Sequence, residues 1–229
     1  MRKLVECVPN FSEGVDENII SQITGQIESV KNVRLIDVDP GQATNRTVVT
    51  FVGEPEDVIE AAFRAVKKAQ ELIDMRNHKG AHPRFGATDV CPLVPVSNIT
   101  MEETVEYAHR LGKRIGDELG IPVFAYEFAA TEEKRRSLAN CRKGEYEALK
   151  ERITSDEWKP DFGPAEWSES VAKSGVTAVG ARNFLVAYNV NLNTTSVRRA
   201  NSVAFDVREA GRVKREGDPV TGKKVKDEN

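Results

Sequence analysis

The segment 77–89 concentrates groups that can do chemistry within a turn. It holds two of the chain's three histidines, His78 and His82, together with the cations Lys79 and Arg84. An imidazole titrates near neutral pH, and a loop stiffened by proline can present it to a ligand with little reorganisation. The functional site is therefore expected at this loop.

The spacing of the two histidines leaves three roles open. Two histidines four residues apart can bind zinc from one face of a helix, but Gly80 and Pro83 disfavour a helix here, and only Cys91 lies nearby as a further ligand. Acid–base chemistry at a trigonal carbon is favoured, since one imidazole can take and return a proton, worth about a hundred- to ten-thousandfold in rate. The third role is structural: His82 caps the preceding helix or hydrogen-bonds its own loop.

Other polar residues near predicted turns are candidates for substrate contact. Asp39 can orient an imidazole or face a cationic group, and Arg46 offers a two-pronged contact to a carboxylate. Lys79 and Arg84 are expected to hold anions because they lie beside the histidine. Asn10 ends the first strand in a turn-rich stretch where ligand loops often lie. Turn formation, helix capping or solvation is the alternative for each of these residues.

The elements that must position these residues follow from hydrophobic periodicity. Four strands are predicted near residues 4–8, 33–38, 46–52 and 88–96, and two helices near 16–30 and 55–73. The order βαββαβ is typical of the split βαβ, or ferredoxin-like, arrangement. We therefore predict an α+β fold with an antiparallel or mixed sheet and helices on one face. The histidine loop then connects the second helix to the fourth strand.

Beyond this core the sequence predicts a further helix, a further strand and a boundary. A capping box at 100–103 begins a helix that ends at Gly120, and a strand follows at 123–126. We predict an N-terminal subdomain at 1–178, a partial C-terminal subdomain at 179–211 and a disordered tail at 212–229. The partial subdomain begins a second α/β unit with a new sheet. One strand and one helix cannot close a core, so more sequence or a partner is expected.

Composition restricts the class of protein. The 229 residues are 39% hydrophobic and 30% charged, which is typical of a globular protein. The net charge of −3 gives no overall electrostatic attraction to nucleic acid or to an acidic membrane. Three widely spaced cysteines without a CxxC pair favour a reducing compartment. A secretory leader and a membrane-spanning apolar run are both missing from the sequence, which predicts a cytoplasmic protein without a membrane partner.

Several unusual strings occur together in order along most of the chain, and they resemble the formiminotransferase family. They are LVECVPNFSEG (4–14), TNRT (44–47), HKGAHPR (78–84), DVCP (89–92), GEYEAL (144–149), PDFGP (160–164) and GAR (180–182). The resemblance implies transfer of a formimino group from N-formimino-L-glutamate to N5 of tetrahydrofolate in histidine degradation. Tetrahydrofolate is then a co-substrate, no metal is involved, and a homodimer is expected.

The resemblance also implies roles for individual residues. It makes His82 the catalytic acid/base, and it assigns the segment from Gly163 and Pro164 to Gly175 to the folate site. Combined with the charges described above, it leads us to expect Asp39 to orient His82 or to stabilise a cationic carbon.

Arg46 or Arg84 is expected to hold a substrate carboxylate. Family members continue through a second subdomain that this sequence does not complete. The competing expectation is therefore a fragment that binds folate or formiminoglutamate without turnover.

Overall fold

The computed structural model describes residues 2–186, 190 and 192–207, and the backbone of residues 213–216 and 223–226. The chain divides into two compact units, Met1–Phe184 and Leu185–Asn229. Every residue of the predicted site belongs to the first unit.

The first unit contains the predicted split βαβ arrangement. Its strands are β1 (Leu4–Cys7), β2 (Asn10–Phe11), β3 (Arg34–Gly41), β4 (Arg46–Gly53) and β5 (Thr88–Ser97), and its first helices are α1 (Glu17–Glu28) and α2 (Pro55–Leu72). β1 and β2 both lie between β4 and β5 and pair antiparallel with each, while β3 pairs with β4. This topology confirms the predicted α+β fold.

Further helices and two strands follow along the chain, and the two strands extend the same sheet. They are α3 (Met101–Leu119), β6 (Val123–Glu127), the short helices α4 (Leu138–Cys141), α5 (Leu149–Ile153) and α6 (Glu169–Ser174), and β7 (Thr177–Ala181). β7 pairs parallel with β5 on one side and with β6 on the other. In the described part of the chain, seven strands thus form one mixed sheet.

The position of β7 corrects the expectation of a new sheet after Gly175. All five residues of β7 are buried, as is usual for a parallel strand covered on both faces. A buried parallel strand is a short, nearly continuous apolar run, whereas the prediction rested on an alternation of apolar and polar residues in the second half of 176–192. That second half lies partly outside the described residues.

The core explains why the long helices lie where they do. Apolar stripes of α1, α2 and α3 pack with the alternate buried residues of β1 and β4 in one large cluster. A second cluster joins β5, β6 and β7 to the short helices α5 and α6. The predicted capping box begins α3 at Thr100 with Glu103, and Gly120 ends it with a φ of 64°.

The second unit contains α7 (Val197–Val207) and an antiparallel pair, β8 (Val213–Glu216) with β9 (Lys223–Lys226). Both strands lie within 212–229, and each carries a valine between charged residues. The assignment of 212–229 as a disordered tail stays a prediction. The subdomain limits 178/179 and 211/212 stay predictions. None of the helices that the structure describes is long and apolar enough to cross a membrane.

Candidate active site

The loop between α2 and β5 is fastened to the link between β3 and β4. The amide of Ala81 donates to the carbonyl of Ala43 at 3.0 Å, and Asn45 Nδ2 donates to the carbonyl of Lys79 at 2.9 Å. Asn45 Oδ1 also accepts from the amide of Gly14 at 2.9 Å. One asparagine therefore joins three separate segments of the chain around the histidine loop.

Close backbone contact between these two loops requires Gly80. A Cβ at this position would lie 2.2 Å from the carbonyl oxygen of Thr44. His78 completes the attachment, because its Nε2 donates to the carbonyl of Asn45 at 2.8 Å. Its Nδ1 is buried and has no hydrogen-bond partner among the described residues. His78 thus supports the loop through this hydrogen bond.

We expect Asn45 to be required for this attachment through both its side chain and its backbone, whose φ is +48°. Asn45→Ala removes both side-chain hydrogen bonds. It also places alanine in the left-handed region, which costs about 1 kcal/mol more than placing glycine there. The free energy of unfolding, measured with urea, should therefore fall more for Asn45→Ala than for Asn45→Gly. Equal losses in the two variants would contradict a backbone contribution.

His82 is held in one protonation state by its two partners. Arg46 Nη1 lies 2.7 Å from His82 Nε2, and His82 Nδ1 lies 2.9 Å from the carbonyl oxygen of Pro83. A guanidinium only donates and a carbonyl only accepts, so the imidazole is neutral with its proton on Nδ1. Burial lowers the pKa of His82. The negative charge of Asp89 raises this pKa, and the positive charges of Arg46 and Arg142 lower it further. The result is an imidazole that stays neutral, with the lone pair of Nε2 directed at Arg46.

A buried carboxylate lies behind this pair. The Asp89 side chain is 1% exposed; it accepts from Arg142 Nε at 2.9 Å and from Arg142 Nη2, and it lies 3.7 Å from Arg46 Nη1. The register explains its position: Asn10 opposes Val90 and Phe11 opposes Thr88, so Asp89 is the extra residue of a β-bulge. A bulge redirects a side chain that regular alternation would point elsewhere.

The structure places Asp39 and Asn10 on the same face of the sheet as Arg46. Both are register partners of Val48, two residues from Arg46 along β4. Asp39 is exposed and affects the pKa of Arg46 through its charge, but its side chain makes no hydrogen bond or ion pair among the described residues. Asn10 is buried, and its Nδ2 donates to the carbonyl of Val8 at 3.0 Å. The imidazole is therefore oriented by Arg46 and Pro83, without direct contact from Asp39.

The two other predicted anion holders differ in their surroundings. Arg84 pairs with Glu147, donates to the carbonyl of Met75 at 2.6 Å and lies 4.8 Å from the ring centre of Tyr146. Its Nε is buried and has no hydrogen-bond partner within the described part of the chain. The exposed Lys79 side chain makes no hydrogen bond or ion pair in the part of the chain that the structure describes. Lys79 is thus free to meet an anion, and Arg84 would first have to exchange partners.

The glycines predicted for the folate segment occupy tight packing positions. Gly163 has a φ of +79°, and a Cβ there would lie 2.4 Å from the carbonyl oxygen of Ile121. Gly175 has a φ of +66° and packs against Phe85 and Gly86 at the end of the histidine loop. Pro164 follows Gly163 and is half-buried. The structure brings none of the three into hydrogen bonding with His82, and their folate role stays a prediction.

Sequence reasoning missed two residues of this site as participants. Asp89 had a recognisable signal, because it is the only charged residue in the otherwise apolar strand β5 and a buried carboxylate needs a partner. Arg142 had none, since it lies in an ordinary polar stretch after α4. The described residues contain no group of three or more His, Cys, Asp or Glu side chains that could hold a metal ion. Among these residues, no third side chain is therefore placed to bind zinc together with His78 and His82.

Comparison with known families assigns both parts of the chain. The family model described as "Formiminotransferase domain, N-terminal subdomain" matches residues 4–182, and "Formiminotransferase domain" matches residues 187–227. The chain belongs to the formiminotransferase family. This confirms the resemblance seen in the short strings.

Similar proteins of this family come from distant organisms. Formimidoyltransferase-cyclodeaminase of Dictyostelium discoideum is 53% identical over 93% of the chain. Glutamate formimidoyltransferases of Streptococcus pyogenes and Thermoplasma acidophilum are 46% and 48% identical over 92% and 90% of the chain. The chain spans 39% of the length of the Dictyostelium protein, 70% of the Streptococcus protein and 67% of the Thermoplasma protein.

Proposed function

We propose that this formiminotransferase-family chain transfers a formimino group from N-formimino-L-glutamate to N5 of tetrahydrofolate. The observation that carries the proposal is the position of His82, a half-buried imidazole whose Nε2 lies 2.7 Å from the guanidinium of Arg46. Two of its similar proteins are named glutamate formimidoyltransferase, which supports this choice of reaction.

The chemistry needs one group that both accepts and donates a proton. The N5 amine attacks the trigonal carbon of the formimino group, which is largely cationic at neutral pH, and a tetrahedral intermediate forms. The proton of the attacking nitrogen passes to His82 Nε2. The same imidazole then protonates the glutamate nitrogen, the carbon–nitrogen bond to glutamate breaks, and the formimino group remains on N5.

The charges around His82 suit the other parts of the substrates. We assign Arg46, Lys79 and Arg84 to the carboxylates of formiminoglutamate or folate, since guanidinium and ammonium groups pair with carboxylates. Asp39 is assigned to the cationic formimino carbon, because it shares the sheet face of Arg46 without an ion pair of its own among the described residues. Asn10 lies on that face as a further substrate contact.

The remaining assignments come from the family. Tetrahydrofolate is the co-substrate, and the segment from Gly163 and Pro164 to Gly175 contributes to its site. We further propose that the reaction belongs to histidine degradation in the cytoplasm, that it needs no metal, and that the active form is a homodimer.

Two measurements on this 229-residue chain test the proposal together. Calorimetry with tetrahydrofolate measures binding, and an assay of 5-formiminotetrahydrofolate production measures turnover. Turnover supports the transferase. Binding of tetrahydrofolate without turnover supports the alternative of a fragment that binds folate. The lack of both tetrahydrofolate binding and turnover would contradict the transferase and the folate-binding fragment.

The pH dependence of the reaction should report the lowered pKa of His82. The imidazole must be neutral to accept a proton, and burial lowers its pKa below the ordinary value of 6.5. We therefore expect kcat/KM to decline with falling pH around a midpoint that lies below 6.5. Rates measured between about pH 5 and 8 check this. A decline centred above pH 6.5 would contradict it.

A further inference from the structure

Arg46 Nη1 lies between two acceptors, and this position has a consequence for protonation. The nitrogen is 2.7 Å from His82 Nε2 and 3.7 Å from Asp89 Oδ2. In the neutral state the guanidinium therefore occupies the lone pair that must accept the proton. If Nη1 moved about 1 Å toward Asp89, it would lose the contact with His82 Nε2 and form a charge-assisted hydrogen bond of ordinary length with Asp89 Oδ2.

Protonation of His82 makes the present contact untenable. Nε2 then carries a hydrogen, so two donors and two positive charges would face each other at the distance of a hydrogen bond. The guanidinium remains charged throughout, so it must turn away. Asp89 is the carboxylate already within reach, and its burial at the bulge fixes its position.

We propose that Asp89 is a positioning residue that receives the guanidinium of Arg46 whenever His82 takes up a proton. Arg46 then alternates between the imidazole of His82 and the carboxylate of Asp89. When Arg46 moves to Asp89, the Nε2–H of His82 is free to face the leaving nitrogen of glutamate. Arg142, which holds Asp89 through two hydrogen bonds, limits how strongly Asp89 attracts Arg46. The inference rests on the proposed role of His82 as the proton carrier.

The charged groups around His82 come from three places in the fold. Arg46 reaches it from β4, Asp89 from β5 and Arg142 from the end of α4, while Asp39 on β3 acts on Arg46. Asp89 favours the protonated imidazole, and the two arginines oppose it. Removing Asp89 and removing Arg142 should therefore change the protonation of His82 in opposite directions.

The test follows the His82 imidazole by NMR in protein with nitrogen-15-labelled histidine, with the signal assigned by its loss in His82→Gln. Asp89→Asn should lower the pKa of His82 further and slow formimino transfer at neutral pH about tenfold. Arg142→Gln should raise that pKa. Asp161→Asn is the matched control: Asp161 is also buried and paired with an arginine, Arg135, at a different place in the fold.

Opposite changes in Asp89→Asn and Arg142→Gln, with no change in Asp161→Asn, support the proposal. If Asp89→Asn does not fold, a rise in the pKa of His82 in Arg142→Gln still supports it. An unchanged or lowered pKa in folded Arg142→Gln overturns it. The titration is read without turnover, so a chain with the expected NMR changes but no formimino transfer contradicts the proposed function alone. Transfer without those changes contradicts only the role of Asp89.

Discussion

Replacing His82 with glutamine is expected to lower kcat for formimino transfer by about a hundred- to ten-thousandfold, the range in which a positioned acid/base contributes. Glutamine has similar length and can still accept from Arg46, but it cannot carry a proton between the two nitrogens. The imidazole is half-buried, and its described hydrogen bonds go to Arg46 and Pro83. The free energy of unfolding should therefore change little.

His109→Gln is the matched control for this substitution. His109 lies on α3, and its Nε2 donates to the carbonyl of Ala129 at 2.7 Å, a contact outside the site. We expect His109→Gln to keep the rate of transfer, measured as 5-formiminotetrahydrofolate formed per enzyme. An undiminished rate in folded His82→Gln would overturn the proposed role of His82.

The largest expected effect on stability is that of Gly175→Ala. Gly175 combines φ +66° with ψ −149°, a region that is essentially restricted to glycine, and a Cβ there would lie 2.3 Å from the carbonyl oxygen of Phe85. Strain and steric overlap together should cost on the order of 3 kcal/mol. Urea denaturation would measure this loss as a lower midpoint.

Gly25→Ala provides the opposite comparison. Gly25 lies inside α1, and a Cβ there would meet nothing within 4 Å. Alanine should therefore stabilise the protein by about 1 kcal/mol, since glycine is unfavourable inside a helix. If Gly175→Ala were as stable as the unsubstituted protein, or more stable, the packing explanation for Gly175 would be wrong.

Gly175 combines an expected role in the folate segment with a packing role. The family resemblance assigned Gly175 to a folate segment, whereas its backbone angles and its contact with Gly86 give it a packing role at the end of the histidine loop. The two roles are compatible. A variant that binds folate poorly has to be examined for stability before the loss is attributed to lost contacts.

The sequence by itself determined much of the local structure. Helical and strand periodicity identified the split βαβ core, the capping box fixed the start of α3, and the strings at 78–84 and 160–164 led to the family. These are properties of neighbouring residues, because side-chain periodicity, capping and turn formation act over a few positions. The place of β7 escaped this reasoning, since its pairing with β5 and β6 depends on strands distant in sequence.

Only the tertiary structure decided which groups act on His82. Arg46 and His82 are 36 positions apart, and Asp89 and Arg142 are 53 positions apart. Their meeting depends on the pairing of β4 with β2 and of β2 with β5, and on one extra residue at the bulge that directs Asp89 toward the arginines. The sequence therefore identified the histidine, but its protonation state depends on charges that only the folded sheet brings within a few ångströms of it.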